Sequence, residues 1–226
     1  MRRFLAALLI AAVLLPAAAQ ADLYDSTLIL VNKQNSLPQD YEPKDLSYPD
    51  VAYADFVPES RKQMREVAAR ALEKMFAAAL EDGIELLGIS GYRSYWTQHE
   101  IYYRRLEETD LEYVSQYVAM PGQSEHQTGL AMDVGSSDCP FLSTDFVLTD
   151  AYAWLNQHAH EYGYIIRYTE AGIPETGYAF EPWHIRYVGD VATELWANGM
   201  TLEAWYRQRL SGSHPVRQRR FALSAW

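Results

Sequence analysis

The segment Ser124-Glu125-His126-Gln127-Thr128-Gly129-Leu130-Ala131-Met132-Asp133-Val134 reads as a bend that feeds a β-strand. Gly129 permits the tight turn between His126 and the strand. From Leu130 onward the side chains alternate, so Leu130, Met132 and Val134 share one face while Ala131 and Asp133 share the other. A lone carboxylate on the inner side of a short strand is costly unless it is paired or bound to a cation. A second segment, Glu181-Pro182-Trp183-His184, leads into a strand at Ile185-Arg186-Tyr187-Val188. Pro182 drives Glu181 toward an extended conformation, so this glutamate and histidine approach a strand and do not ride a helix. That separates the pattern from the helical zinc motif, in which two histidines lie four residues apart on one helix.

Around these two strands the chain shows helical periods. Met64, Val67, Ala71, Met75 and Ala79 predict a long helix from about Glu59 to Asp82, behind Pro58 and with Gly83 at its end. Ile84 to Ile89 reads as a strand that delivers Gly91-Tyr92-Arg93-Ser94. Further helices are expected over about 95–108, 111–119, 150–163, 190–198 and 202–210, and strands over 164–168 and 184–188. Residues 22–57, with Pro38, Pro43 and Pro49, read as an extended arm in which Leu28 to Val31 could form a short strand. Helices and short strands mixed in this way imply an α+β domain with a small, mainly antiparallel sheet packed with helices.

The chain has 226 residues, enough for one well-buried domain. Its 49% hydrophobic and 22% charged residues are those of a folded globular protein, which excludes disorder. Arg2 and Arg3, the apolar run Phe4 to Leu15 and the small residues ending Ala19-Gln20-Ala21 read as a secretory signal peptide over residues 1–21. The apolar run is too short to span a bilayer, and no later stretch reaches the required length. A single domain that includes the extended arm would then occupy 22–210, followed by a basic tail over 211–226 with Arg217, Arg219 and Arg220. Loss of the leader removes two arginines and takes the net charge from -11 to -13. Such acidity repels phosphate backbones and argues against a nucleic-acid partner. Cys139 is the only cysteine, so no intrachain disulfide forms, and it reads as a small loop or core residue.

His126, Asp133 and His184 together offer two imidazoles and one carboxylate, three positions of a tetrahedral zinc site with the fourth left to water. Zinc lowers the pKa of its water to about 7. A carboxylate that is not a ligand can then act as general base, and Glu181, three residues before His184, is the candidate. Arg93, at a strand-to-helix turn, is the candidate donor to a developing oxyanion. Bland readings compete with these. Glu181 could orient a ligand, and Arg93 could form a structural ion pair. His99, His158, His160 and His214 lack matching partners and are assigned no ligand role.

Gly91-Tyr92-Arg93-Ser94, the string Ser124 to Asp133 and Glu181 to Val188 resemble the VanY-type D-alanyl-D-alanine carboxypeptidases of the LAS group of zinc peptidases. Val31-Asn32-Lys33-Gln34-Asn35, Leu37-Pro38 and Asp40-Tyr41 resemble the opening of that catalytic domain, so the likeness runs from about Leu28 to Gly189. The resemblance implies the LAS/hedgehog-type fold, zinc on His126, Asp133 and His184, Glu181 as base, and Arg93 on the substrate carbonyl. It places Gln98 and Ser124 near the substrate. It further implies hydrolysis of the terminal D-alanine bond of peptidoglycan stem peptides (D,D or L,D) by a monomeric enzyme outside the cytoplasm. The alternatives are a wall endopeptidase or a non-catalytic peptidoglycan- or zinc-binding protein on the same fold.

Overall fold

The computed structural model describes residues 26–211. The leader expected over 1–21 and the tail beyond Ser211 lie outside them. In chain order the elements are β1 (Leu46–Ser47), β2 (Met64–Arg65), α1 (Glu66–Glu81), β3 (Leu86–Ser90), α2 (Tyr95–Glu108) and α3 (Leu111–Tyr117). They continue with β4 (Ala131–Ser136), α4 (Asp150–His158), β5 (Tyr164–Tyr168), α5 (Ile173–Thr176), β6 (Glu181–Tyr187), α6 (Ala192–Ala197) and α7 (Leu202–Leu210). The main sheet has the order β3-β4-β6-β5, with every neighbouring pair antiparallel. β1 and β2 form a separate short ladder. This is the α+β architecture the alternation of elements implied.

The long first helix begins later than its periodicity suggested. Glu59–Arg61 is a single 3-10 turn, and Met64 and Arg65 pair with Leu46 and Ser47. The Arg65 and Glu66 N–H groups are taken by Gly129 and Asp45 carbonyls, so the chain is extended until Glu66. The buried stripe of α1 is Ala68, Ala69, Leu72, Met75, Phe76 and Ala79, which leaves Val67 exposed on the flank. Gly83, at φ 81°, follows the helix end as expected. Leu28 to Val31 is not a strand. Its carbonyls are claimed by side chains instead: Arg186 donates to Ile29 O and the Tyr206 hydroxyl to Leu28 O. Residues 159–162, expected to continue α4, tighten into a 3-10 turn that Gly163 ends at φ 81°.

The sheet separates two environments. Met132, Val134, Tyr164 and Ile185 face the main core against α1 and α4. Each such side chain stabilises the fold by about 1.5–3 kcal/mol. The Tyr164 hydroxyl donates to Ala68 O at 2.6 Å, so even this buried phenol is satisfied by α1. On the other face Ile165 packs with Val188, Leu195, Leu202 and Trp205 from the C-terminal helices. The same face carries Asp133, His184, Arg186 and Arg167. Polar chemistry is thereby confined to one side of a sheet whose reverse is oil. No helix among the described residues is long and apolar enough to cross a membrane.

Candidate metal centre

Asp133 and His184 face each other across the β4–β6 ladder, which puts their side chains on one face of the sheet. His126 arrives from the 3-10 turn Glu125–Thr128, and Gly129 closes that turn at φ 67°. A side chain at Gly129 would be strained there and would crowd Arg65 and Leu46 at 3.0 Å. The Gly91–Ser94 loop grips His126 twice. Gly91 O lies 2.7 Å from His126 Nδ1, and Arg93 N–H donates to His126 O at 3.2 Å. Gly91 O can only accept, so Nδ1 carries the hydrogen and Nε2 the lone pair. That Nε2 is buried without a hydrogen-bond partner and stands 3.3 Å from Asp133 Oδ1. His184 Nδ1 lies 3.0 Å from the same oxygen, and the two rings stand at 83° with centroids 4.8 Å apart.

The donor atoms of His126, Asp133 and His184 all lie within 4.8 Å of one another, and all three residues are buried. Each imidazole has its outer nitrogen held by a protein oxygen and its inner nitrogen aimed at Asp133. That is how metal-binding histidines are usually oriented. With the unpartnered His126 Nε2, the set fits a divalent metal that accepts two nitrogens and an oxygen.

Electrostatics agree. Burial pushes the His126 pKa down to about 4, and Arg93 adds to it, so the ring is neutral at pH 7. Burial opposes the charged form of His184, but hydrogen bonds to Asp133 and Glu125 overcome it and raise the ring to about 9. A metal would replace that proton on Nδ1. Burial also opposes ionisation of Asp133, yet the two histidines hold its carboxyl far below the usual range. Glu181 behaves oppositely. Burial, with Asp133 adding to it against His184, pushes it up to about 7. Two carboxylates in one site are thus driven apart, one fixed as an anion and one able to exchange a proton near neutrality.

Glu181 owes its position to an irregularity in the sheet. Between the pairs Ile166↔Ile185 and Tyr168↔Glu181, β5 advances two residues and β6 four. Such bulges re-aim side chains. Glu181 Oε2 comes within 3.9 Å of His184 Nδ1, although simple alternation would place it on the opposite face. These groups open into a cavity of about 180 Å³ that also includes Arg93, Gln98, Ser124, Tyr178 and Trp183. All the residues singled out from the sequence are therefore brought together. His158 and His160 lie elsewhere, His160 stacked on Trp196 at 3.9 Å. A wider groove of about 870 Å³ beside α1 contains none of the site residues.

Several buried polar atoms of the cavity lack a hydrogen-bond partner. Arg93 Nε, Gln98 Oε1 and the Tyr178 hydroxyl have no partner there, which marks them as groups awaiting a ligand. Gln98 Nε2 is already spent on Ala119 O at 2.8 Å, so its free oxygen can only accept. Sequence reasoning missed Tyr178, which has no periodic or spacing signature. It also missed the buried charges behind the site: Glu125, Arg167, Arg186 and Glu203. A signal existed, because Arg167 and Arg186 sit inside strands between aliphatic and aromatic neighbours, where an arginine needs a buried partner.

Residues 61–190 match the family model described as VanY: D-alanyl-D-alanine carboxypeptidase. The chain is 42% identical over 186 residues to YodJ of Bacillus subtilis (strain 168), covering 81% of this chain and 68% of YodJ. It is 36% identical over 185 residues to the bifunctional D-Ala-D-Ala dipeptidase and D-Ala-D-Ala carboxypeptidase VanXYC of Enterococcus gallinarum, covering 80% and 94%. Among solved structures it resembles the LdcB LD-carboxypeptidase with a TM-score of 0.75 at 42% identity, covering 80% of this chain and 86% of that one.

Proposed function

From the premise that this chain belongs to the VanY family of D-alanyl-D-alanine carboxypeptidases, we propose that it removes the C-terminal D-alanine from peptidoglycan stem peptides, with zinc as cofactor. The observation that carries this reading is the convergence of His126, Asp133 and His184 beside a proton-exchanging Glu181 in one cavity. Zinc held by the first three would supply a Lewis acid that acidifies water and polarises a carbonyl. Glu181 Oε then takes a proton from the attacking water and returns it to the leaving amine.

Arg93 is placed to donate from its unpartnered Nε to the carbonyl oxygen as charge develops there. Gln98 Oε1 suits a peptide N–H, whereas the Tyr178 hydroxyl and Ser124 are among the donors available to a terminal carboxylate. The likeness to the LdcB LD-carboxypeptidase, at 42% identity, supports the L,D bond of a tetrapeptide over the D,D bond of a pentapeptide. A peptidoglycan substrate agrees with the export leader read in residues 1–21, and we place the enzyme outside the cytoplasm.

The test is incubation of the zinc-loaded protein with defined tetra- and pentapeptide stems, followed by mass spectrometry. Release of one alanine from the tetrapeptide is expected. Glu181→Gln should keep its zinc and lose about 10²–10⁴-fold in kcat, whereas His126→Ala should lose zinc. A wild type that cuts neither peptide, or a Glu181→Gln protein with full turnover, would overturn the proposal.

A further inference from the structure

Behind the metal ligands runs a chain of buried charge that no step of the proposed reaction uses. Glu125, Arg167 and Arg186 expose none of their side-chain surface. Glu125 Oε1 accepts from Arg167 Nε at 2.8 Å and from Arg186 Nη1 at 2.7 Å, while Oε2 stands 3.3 Å from His184 Nε2. Arg167 then forks onto Glu203 of α7, at 2.9 and 2.7 Å. Glu203 Oε1 also accepts from Asn32 Nδ2 at 3.0 Å. Arg186 Nη2 donates to Thr27 O at 3.1 Å and to Ile29 O at 2.8 Å. The line therefore joins the N-terminal segment and the last described helix to a single ring nitrogen of His184.

Buried ion clusters are poor stabilisers, because desolvation offsets most of their attraction. Their asset is a fixed geometry and a fixed hydrogen-bond polarity. Two arginines leave Glu125 an acceptor only, so the atom facing it, His184 Nε2, must carry a hydrogen. His184 Nδ1 is then the nitrogen with a lone pair to give, and it is the one that faces Asp133. We infer that Glu125 is a positioning residue that fixes His184 as an Nδ1 metal donor, with Arg167, Glu203 and Asn32 holding Glu125 in place from the two ends of the chain. The inference rests on His184 being a metal ligand, and it does not depend on which peptide bond is cut.

Glu125→Gln isolates the effect. If its amide oxygen faces the arginines, its NH₂ meets His184 Nε2 and forces the hydrogen onto Nδ1, the nitrogen the metal needs. If the amide is flipped, NH₂ meets the guanidinium groups and the chain of bonds breaks. The expected result, from zinc titration against a chromophoric chelator, is a 10–100-fold weaker zinc Kd. The cobalt(II)-substituted protein should show a changed visible absorption band. Glu203→Gln, which does not touch His184, should lower zinc affinity in the same direction by less. Long-range proton–nitrogen-15 spectra of the zinc-loaded wild type should show His184 bound through Nδ1 with a protonated Nε2. If Glu125→Gln does not fold, Glu203→Gln and the wild-type spectrum decide.

Equal zinc affinities in the wild type and the folded variants, or ligation through His184 Nε2, would overturn the inference and leave the proposed function standing. Tight, Glu125-dependent zinc binding without release of alanine from any stem peptide would do the reverse.

Discussion

Gly91→Ala tests whether the loop that orients His126 requires a bare backbone. A Cβ at this position would lie 2.4 Å from Gln63 O and 3.1 Å from Arg61 O, closer than real Cβ atoms approach in the first case. Gln63 O must yield by roughly 0.6 Å to restore a tolerable contact. It is not free to do so. Gln63 O already accepts from Tyr92 N–H at 2.7 Å, and Arg61 O accepts from Gly91 N–H at 2.6 Å. Overpacking costs about 1–3 kcal/mol, and weakening one of these bonds adds about 1 kcal/mol. The expected loss of unfolding free energy is therefore about 2–4 kcal/mol, which leaves most of the protein folded.

The functional consequence travels through one bond. Gly91 O is the acceptor, at 2.7 Å, that fixes the tautomer of His126. Displacing it should weaken zinc binding by about 10–100-fold even in the folded fraction. Guanidinium titration of metal-free protein gives the first quantity and chelator competition the second. Unfolding free energy within about 0.5 kcal/mol of the wild type, together with an unchanged zinc Kd, would refute the reasoning at both steps.

Metal-free protein should become less heat-stable between pH 6.5 and 9. The His184 pKa is raised on folding from 6.5 to about 9, so its contribution, on the order of 3 kcal/mol, is complete below 6.5 and is lost as pH rises through 9. In the zinc-loaded protein Nδ1 has no proton to lose, and calorimetry should show that slope disappear; a metal-free Tm that rises over this window contradicts the assignment. Arg93→Ala should retain zinc and lose about 10²–10³-fold in kcat with little change in KM. Unchanged turnover would remove Arg93 from the role of donor to the developing oxyanion.

The candidate metal ligands were legible from sequence because each depends on local pattern. Strand alternation put Asp133 off the apolar face, Pro182 kept Glu181 and His184 out of a helix, and Gly129 marked the bend after His126. The same local logic located α2, β5 and α7. It misplaced the start of α1, because the backbone of Met64 and Arg65 is held by partners at Leu46, Ser47 and Gly129, far away in sequence. It saw a strand at Leu28 to Val31 for a similar reason: the carbonyls that would build a ladder are satisfied by Arg186 and Tyr206.

The sequence by itself singled out the residues of the candidate metal site, since period, turn chemistry and ligand type are properties of short segments. Only the tertiary structure decided how those residues are tuned. The ladder register sets Asp133 opposite His184, the bulge in β6 turns Glu181 onto their side, and Glu125 reaches His184 from a network that ends at Asn32 and Glu203. Burial and charge at a site are sums over everything that surrounds it. No window of sequence contains that sum until the chain has folded.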